Sequence, residues 1–500
     1  MNKKMLNYFS VLYLGTPLLV FSIGYLRWYI TVAVLALFLL ASCRVLQSLR
    51  RESVCSEISI SPQNILIAAI ASFAISFLLG VGGYYTQSTD WMAKNPVLND
   101  LVDSAWPVII YPKCMSAEIQ AFIGSDPLAL VYYFFFYMPA ACIGKLFGIG
   151  AAHFALYFWT AIGLFLVICS LVLFSFPKIC SKRYACLIVL FFIFFGGGDF
   201  VGQILRLIVL KVQGVSPLYA TWRIDEWCRP YFSYYGANWT SLYWCFNQCI
   251  PVWLITSLIL LNNDLKSVGF WYSFTLLYSP WAAMGLFPVI FIYVAYRLFK
   301  DIKLMLSVLT LQNIVFPLFV LLVVGSFYMS NRHLLADCGW WWKFEQPMVF
   351  LPKYIAFILL ELGIYFYAMR NELCKSSWLI ISFVVLLFIP FYKMTVWNDF
   401  MMRASLPALF IVFMYWTRWC MRNLHSRRML IVVVYVVTSL TALQLMVNSL
   451  VDTVRAGKPV LTNANERFCN TSDLEVVKLG DGQFFAHDYK TTFFWKYLSR

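Results

Sequence analysis

Five hundred residues that are 62% hydrophobic, 19% aromatic and only 12% charged, at a mean hydropathy of +0.75, exclude a soluble globular enzyme. Apolar runs of about 20 residues recur along the chain, each long enough to cross roughly 30 Å of hydrocarbon. The net charge of +15 reads as Lys and Arg gathered at cytoplasmic loops and lipid headgroups, not as a nucleic-acid footprint, so the bilayer is the expected partner and nucleic acid is not.

The expectation is an all-α polytopic transmembrane helix bundle of about 12–14 spans. It occupies residues 1–449, followed by a short polar extracytoplasmic tail, 450–500, too small to hold a core of its own. Met1–Lys4 leads straight into an apolar run, so no cleaved signal is expected. Residues 6–25 and 28–46 form a hairpin turning at Tyr25–Trp28, and Arg44, Arg50 and Arg51 place the 44–61 loop inside. A third span, 62–83, leads into an acidic outer loop, 84–127. From Leu128 to Phe176 two apolar phrases joined near Gly148 read as two crossings, which would put Lys178, Lys182 and Arg183 outside, against the charge rule. Either one phrase is re-entrant or the rule fails there. A span at 184–200 ends in FFGGGDF, and the aromatic loop 202–240 follows. Further spans lie at 241–261, 304–328, 349–369, 377–392, 404–417 and 429–449, with a block at 268–299 interrupted by SPWAAMGLFP and so either two short helices or one broken helix. The loops 330–347 and 393–403 fall outside, and the cluster Arg418, Arg422, Arg427 and Arg428 falls inside.

The stretch DWMAKNPVLNDLVDSAWP, from Asp90 to Pro107, concentrates acids in a chain that has few. Read as a helix from Val97, it stacks Leu98, Leu101, Val102 and Ala105 on one stripe, with Asn99, Asp100 and Asp103 opposite. Asn95 suits the cap and Pro96 the first helical position. The picture is an amphipathic helix on the membrane surface with its carboxylates in water.

A carboxylate beside arginines at an outer surface suits transfer from a lipid-linked phosphate. Arginine grips phosphate through paired hydrogen bonds while the acid deprotonates an acceptor hydroxyl. Among the arginines of the outer loops, Arg223, Arg229, Arg332 and Arg403 are the candidate phosphate ligands. Asp199, behind three glycines, and Glu361, in mid-span, are acids where acids are costly and usually face a cavity or a partner. Asn247 and Gln248 place two amides within a span before Pro251. Four scattered histidines, and fourteen cysteines mostly inside apolar runs, give no zinc or haem signature. No cofactor is therefore expected, and a divalent metal has no support in the sequence.

The phrases GGYYTQSTDWMAKNPVLNDLVDSAWPV, LVYYFFFYMPAACIGKLFG, FFGGGDFVG, SLYWCFNQCIPVW, SPWAAMGLFP and NDFMMRASLPAL, spread over residues 82–410, resemble a largely uncharacterised family of bacterial multi-span proteins. That family is in turn similar to the GT-C superfamily of membrane glycosyltransferases. The resemblance implies an inner-membrane, multi-pass enzyme that moves a sugar from a polyprenyl-phosphate-linked donor to a cell-envelope glycan or lipid acceptor, in polysaccharide biosynthesis. It also implies a catalytic acid in the first long outer loop, a role that maps onto Asp90, then Asp103, with Asp199 behind them. Asn99, Asp100, Arg223, Arg229, Asn247, Gln248, Arg332 and Arg403 are the candidate substrate ligands. The chain departs from the superfamily in placing this loop after a third span instead of a first, and in showing no large C-terminal domain. A transporter or flippase of a lipid-linked glycan is the alternative expectation.

Overall fold

Helices that pack in a bilayer need to bury only the faces that meet other helices, because lipid tails are as apolar as leucine. In the computed structural model, ten helices among the described residues are long and apolar enough to cross a membrane, and three shorter apolar helices accompany them. The described residues are all of 1–500 except 53–58, 113–115, 125, 177–180, 217–222, 229–231, 233–234, 332–337, 395–397, 462–469 and 472–483. The helices that matter below are α1 (Lys3–Tyr25), α2 (Trp28–Glu52), α3 (Pro62–Leu78), α4 (Trp91–Asp103), α5 (Ala117–Ile123), α6 (Met138–Phe147), α7 (Ile149–Ser175), α8 (Lys182–Phe194) and α9 (Asp199–Val212). After them come α10 (Asn238–Asn262), α11 (Val268–Tyr278), α12 (Pro280–Lys300), α13 (Leu311–Tyr328), α14 (Pro347–Ala368), α15 (Ser377–Phe388), α16 (Asp399–Asn423) and α17 (Arg428–Ala456). Helix α10 is the hub, with 89% of its most apolar stretch buried, whereas α2 and α17 bury 28% and 33% of theirs. Exposed side chains such as Leu39, Leu40, Val432 and Val436 would form an aggregating patch in water but need no partner in hydrocarbon. The protein is an all-α, multi-pass membrane helix bundle.

Local chemistry sets the helix boundaries. Ser61 accepts the Asn64 amide at the start of α3, and Ser376 accepts that of Leu379 at the start of α15. In the broken block, Ser279 is extended and its side chain caps α12 through the Ala282 amide, with Pro280 at the first helical position. The block is therefore two helices, α11 and α12. Helices α12 and α16 approach so closely at Gly285 that a Cβ there would lie 1.8 Å from the Ala404 carbonyl oxygen. That contact fixes the position of the neighbouring Arg403.

Long-range hydrogen bonds sort the loops to two ends of the bundle. At one, the loop end, the hairpin turn meets the C-terminus: the Arg27 amide donates to Leu498 O and the Arg500 guanidinium to Trp106 O. Strands β1 (Ile109–Ile110), β2 (Leu128–Leu130) and β5 (Phe485–Ala486) form an antiparallel sheet there, in the order β1-β2-β5, and β3 (Gly339–Trp340) pairs with β4 (Tyr392–Lys393). At the other, the arginine end, Asn7 and Asn262 exchange side-chain bonds, and Arg422 lies 3.7 Å from Glu372. Residues 84–112 and the chain terminus thus share one end, and the 418–428 arginines sit at the opposite one.

The tail is not a separate polar appendage. Helix α17 runs on to Ala456, and Phe485 and Phe494 are fully buried, Phe494 against Phe21 and Phe327. Residues this short cannot bury apolar surface alone, so the end of the chain completes its core by inserting into the bundle.

The parity of residues 128–183 also resolves. The run YYFFFY is a buried aromatic plug at the loop end, with Phe134 and Phe135 packed on Phe21, Tyr25 and Phe327. Helix α6 rises only about 15 Å, too little to cross. Lys145, near its C-terminus, donates to Val102 O and Ser104 O, so α6 stays at the loop end. Gly148, at φ 88°, turns the chain into α7. The far end of α7 brings Phe174 under the Arg418 guanidinium, and Phe176 stacks on Tyr184 of α8. One crossing is made instead of two, and Lys182 and Arg183 fall at the arginine end, as the charge rule requires.

Candidate functional site

Helix α4 starts six residues earlier than the stripe of apolar side chains predicts, at Trp91, and Pro96 lies inside it. Tertiary bonds hold this start in place. Gly80 takes φ 70°, which a side chain would resist, and a Cβ there would meet Thr86 O at 2.7 Å. Its carbonyl accepts from the Gln87 amide, and Gln87 Oε1 accepts from Asn95 at 3.0 Å, so Asn95 ties the helix inward instead of capping it. Trp91 is buried and stacks on Phe246 of α10, with centroids 5.1 Å apart and planes at 17°.

This register leaves Asp90 at the N-cap with its side chain making no cap hydrogen bond. The half-exposed carboxylate instead lies 3.7 Å from Lys94 Nζ, one turn along. Lys94 is buried, donates to Trp244 O at 2.6 Å and lies over the rings of Trp91 and Phe246. Burial pushes its ammonium below the ordinary lysine value, and the Asp90 carboxylate opposes the shift.

Arg403 arrives from the first turn of α16. Its Nη1 is 3.0 Å from Asp399 Oδ1, and its Nε is buried with no acceptor among the described residues. The small buried cluster of Cys245 and Met402 joins this turn to α10 at the backbone kink of Cys245. Tyr132 and Tyr133 lie nearby, with Trp281 Nε1 donating to Tyr133 Oη at 3.1 Å. Burial raises both phenols and Arg403 draws both back, while Asp90 and Asp399 act on Tyr132 as well. Asp90 and Arg403, from distant parts of the chain, therefore share the neighbours Lys94 and Tyr132 at the loop end.

Arg223 is linked to this cluster through Trp244. Its guanidinium grips Asp225 and Glu226, each at 2.7 Å, and stacks over the Trp244 ring at 4.6 Å. Trp244 thus meets Arg223 through its ring and Lys94 through its carbonyl. Asp199 is elsewhere. It is buried at the start of α9, accepts from Thr441 at 3.0 Å, and faces the carboxyl group of Glu361 on α14. A Cβ on Gly197 would sit 1.6 Å from Glu361 Oε2, which explains a glycine there. Neither acid is ion-paired among the described residues.

Two expected positions turn out differently. Asn99 and Asp100 were expected on a solvated face, but both are buried: Asn99 meets His153 at 3.1 Å, and Asp100 accepts from the Thr471 hydroxyl and amide. Starting α4 at Trp91 and packing it between α6, α7 and the tail leaves that face no water. Their bonds are internal, tying the helix to α7 and to the tail. Asp100→Ala is expected to lower stability by about 1–3 kcal/mol, because it strands the Thr471 donors. An unchanged melting temperature in detergent would show that this buried bond contributes nothing.

Asp103 remains exposed, 3.4 Å from the Asn470 amide. Asn247 and Gln248 are buried in α10 just beyond Phe246, and Gln248 Oε1 has no partner among the described residues. Arg229 and Arg332 lie outside the described residues. Lys94, Asp399, Tyr132, Tyr133 and Trp244 were not among the sequence-predicted site residues. A signal existed for the first two: Asp90/Lys94 and Asp399/Arg403 both stand at i, i+4, the spacing that pairs charges on a helix.

The fold and these residues together define a multi-pass helical membrane protein with a cluster of acids, arginines and aromatics at one end of its bundle. Comparison with protein-family models, curated proteins and solved structures found no match to the chain.

Proposed function

We propose that the chain is a GT-C-like membrane glycosyltransferase that moves a sugar from a polyprenyl-phosphate-linked donor to an envelope glycan or lipid acceptor at the outer face of a bacterial inner membrane. The observation that supports this most is that Asp90 and Arg403 meet at the same neighbours, Lys94 and Tyr132, at the loop end. A carboxylate freed from capping serves as the base for an acceptor hydroxyl. A guanidinium with an unused buried N–H grips the donor phosphate. Lys94 orients Asp90 and adds positive charge where the phosphate leaves. Arg223, its guanidinium committed to Asp225 and Glu226, holds the Trp244 ring beside this cluster. Bound aromatic faces of Tyr132 and Trp244 suit the apolar face of a sugar ring.

The second reading, a transporter or flippase of a lipid-linked glycan, draws on a different observation. Asp199 and Glu361 form an uncompensated acid pair inside the bundle, where acids usually mark a passage. The deciding experiment reconstitutes the purified chain in liposomes with polyprenyl-phosphate-linked sugars and an envelope-glycan acceptor extract. Release of free polyprenyl phosphate with sugar appearing on the acceptor supports the enzyme. Movement of intact donor between leaflets without release supports the transporter and removes the transferase reading.

A further inference from the structure

On the bilayer-facing rim, a groove of about 600 Å³ runs between α8 and α17. Its walls include Leu190 and Phe194 on one side and Val432 and Val436 on the other, and its mouth holds His425 and Arg428. The floor is firm, because Phe191 and Tyr435 stack at 4.3 Å with planes 9° apart. From Arg428 to Leu443 the groove follows α17 for about 22 Å, enough to run the depth of one leaflet, about 15 Å, and beyond.

The charges at the mouth are distinctive within their own cluster. Arg422 reaches Glu372 and Arg418 stacks on Phe174, but neither Arg427 nor Arg428 has a carboxylate partner among the described residues. An apolar trough with unpaired guanidinium groups at the headgroup level complements an acyl chain ending in a phosphate. A second apolar recess of about 500 Å³, between α11, α12 and α13, has no cation in its lining, so nothing there selects a headgroup.

We propose that the groove binds one anionic phospholipid, with an acyl chain along Val432 and Val436 and its phosphate on Arg428 at the arginine end. The site is at the opposite end of the bundle from Asp90 and does not depend on the transferase reading. Its lipid braces α8 against α17, the helix whose Thr441 donates to Asp199 at the start of α9.

The test uses the full chain in detergent, titrated with dioleoyl phosphatidylglycerol or dioleoyl phosphatidylcholine, with bound lipid counted by native mass spectrometry. The expected result is one phosphatidylglycerol held about tenfold more tightly than phosphatidylcholine, the equivalent of one charge-assisted contact. Val436→Trp, at a side chain 60% exposed, fills the trough without touching the core and should remove that one lipid. Arg427→Gln with Arg428→Gln, both surface changes, should erase the headgroup preference while leaving acyl binding. Equal retention of the two lipids by the wild type, or retention unchanged by Val436→Trp, would overturn the proposal. So would stabilisation by glycerol 1-phosphate alone equal to that of phosphatidylglycerol, which would mean an anion site without the groove. A dimer that Val436→Trp dissolves would place a second copy of the chain there instead.

Discussion

Replacing Asp90 by Asn should lower sugar transfer by about 10²–10⁴-fold, the contribution of a positioned general base, while expression and melting stay close to wild type. The structural grounds for both halves are specific. Asp90 caps nothing with its side chain and is half exposed, so the fold loses one 3.7 Å ion pair of a kind that contributes little. Asparagine keeps the shape and can still accept from Lys94, so donor binding should survive. Only the ability to take a proton disappears. The measurement is transfer by the reconstituted chain at saturating donor, with thermal shift as the folding control. Near-normal transfer by Asp90→Asn would remove it as the base. Asp103, exposed near Asn470, and Asp199, buried against Glu361, would be left to account for any activity.

Arg403→Lys is the second large expected effect, and it separates charge from geometry. The Arg403 side chain spends Nη1 on Asp399 and keeps Nε as an unused buried donor. A phosphate bound there meets a planar fork that can donate to two oxygens at once. Lysine restores the charge but not the fork, and loses about one charge-assisted hydrogen bond, about 1.5–3 kcal/mol, or roughly 10–100-fold. The loss should appear as weaker donor binding, seen as a raised KM for the polyprenyl-phosphate sugar. The close approach of α12 to α16 at Gly285 keeps the backbone of residues 403–404 in place, so the substitution tests the side chain alone. Full activity with an unchanged KM would mean that Arg403 acts as a structural partner of Asp399 and not as a phosphate ligand.

Membrane class, the first hairpin, the interruption of the 268–299 block and the gathering of arginines at 418–428 were all legible from composition and spacing. Each depends on local properties: the apolar length of a run, a serine before a proline, or a group of arginines beside a span. The surface-helix picture of α4 failed for a physical reason. An amphipathic stripe says which face is apolar, but not what covers the other face. Here His153, deep in α7, and Thr471, from the tail, satisfy the polar side, so Asn99 and Asp100 need no water.

What the sequence by itself determined is the solvent of this protein, its all-helical class and the charge asymmetry of its two ends, because hydrophobicity and charge act residue by residue along the chain. Only the tertiary structure decided that α6 does not cross, that the tail completes the core, and that Asp90 and Arg403 share neighbours while Asp199 meets Glu361. Those outcomes depend on which distant surfaces pack together, and contacts between segments hundreds of residues apart leave no local pattern to read.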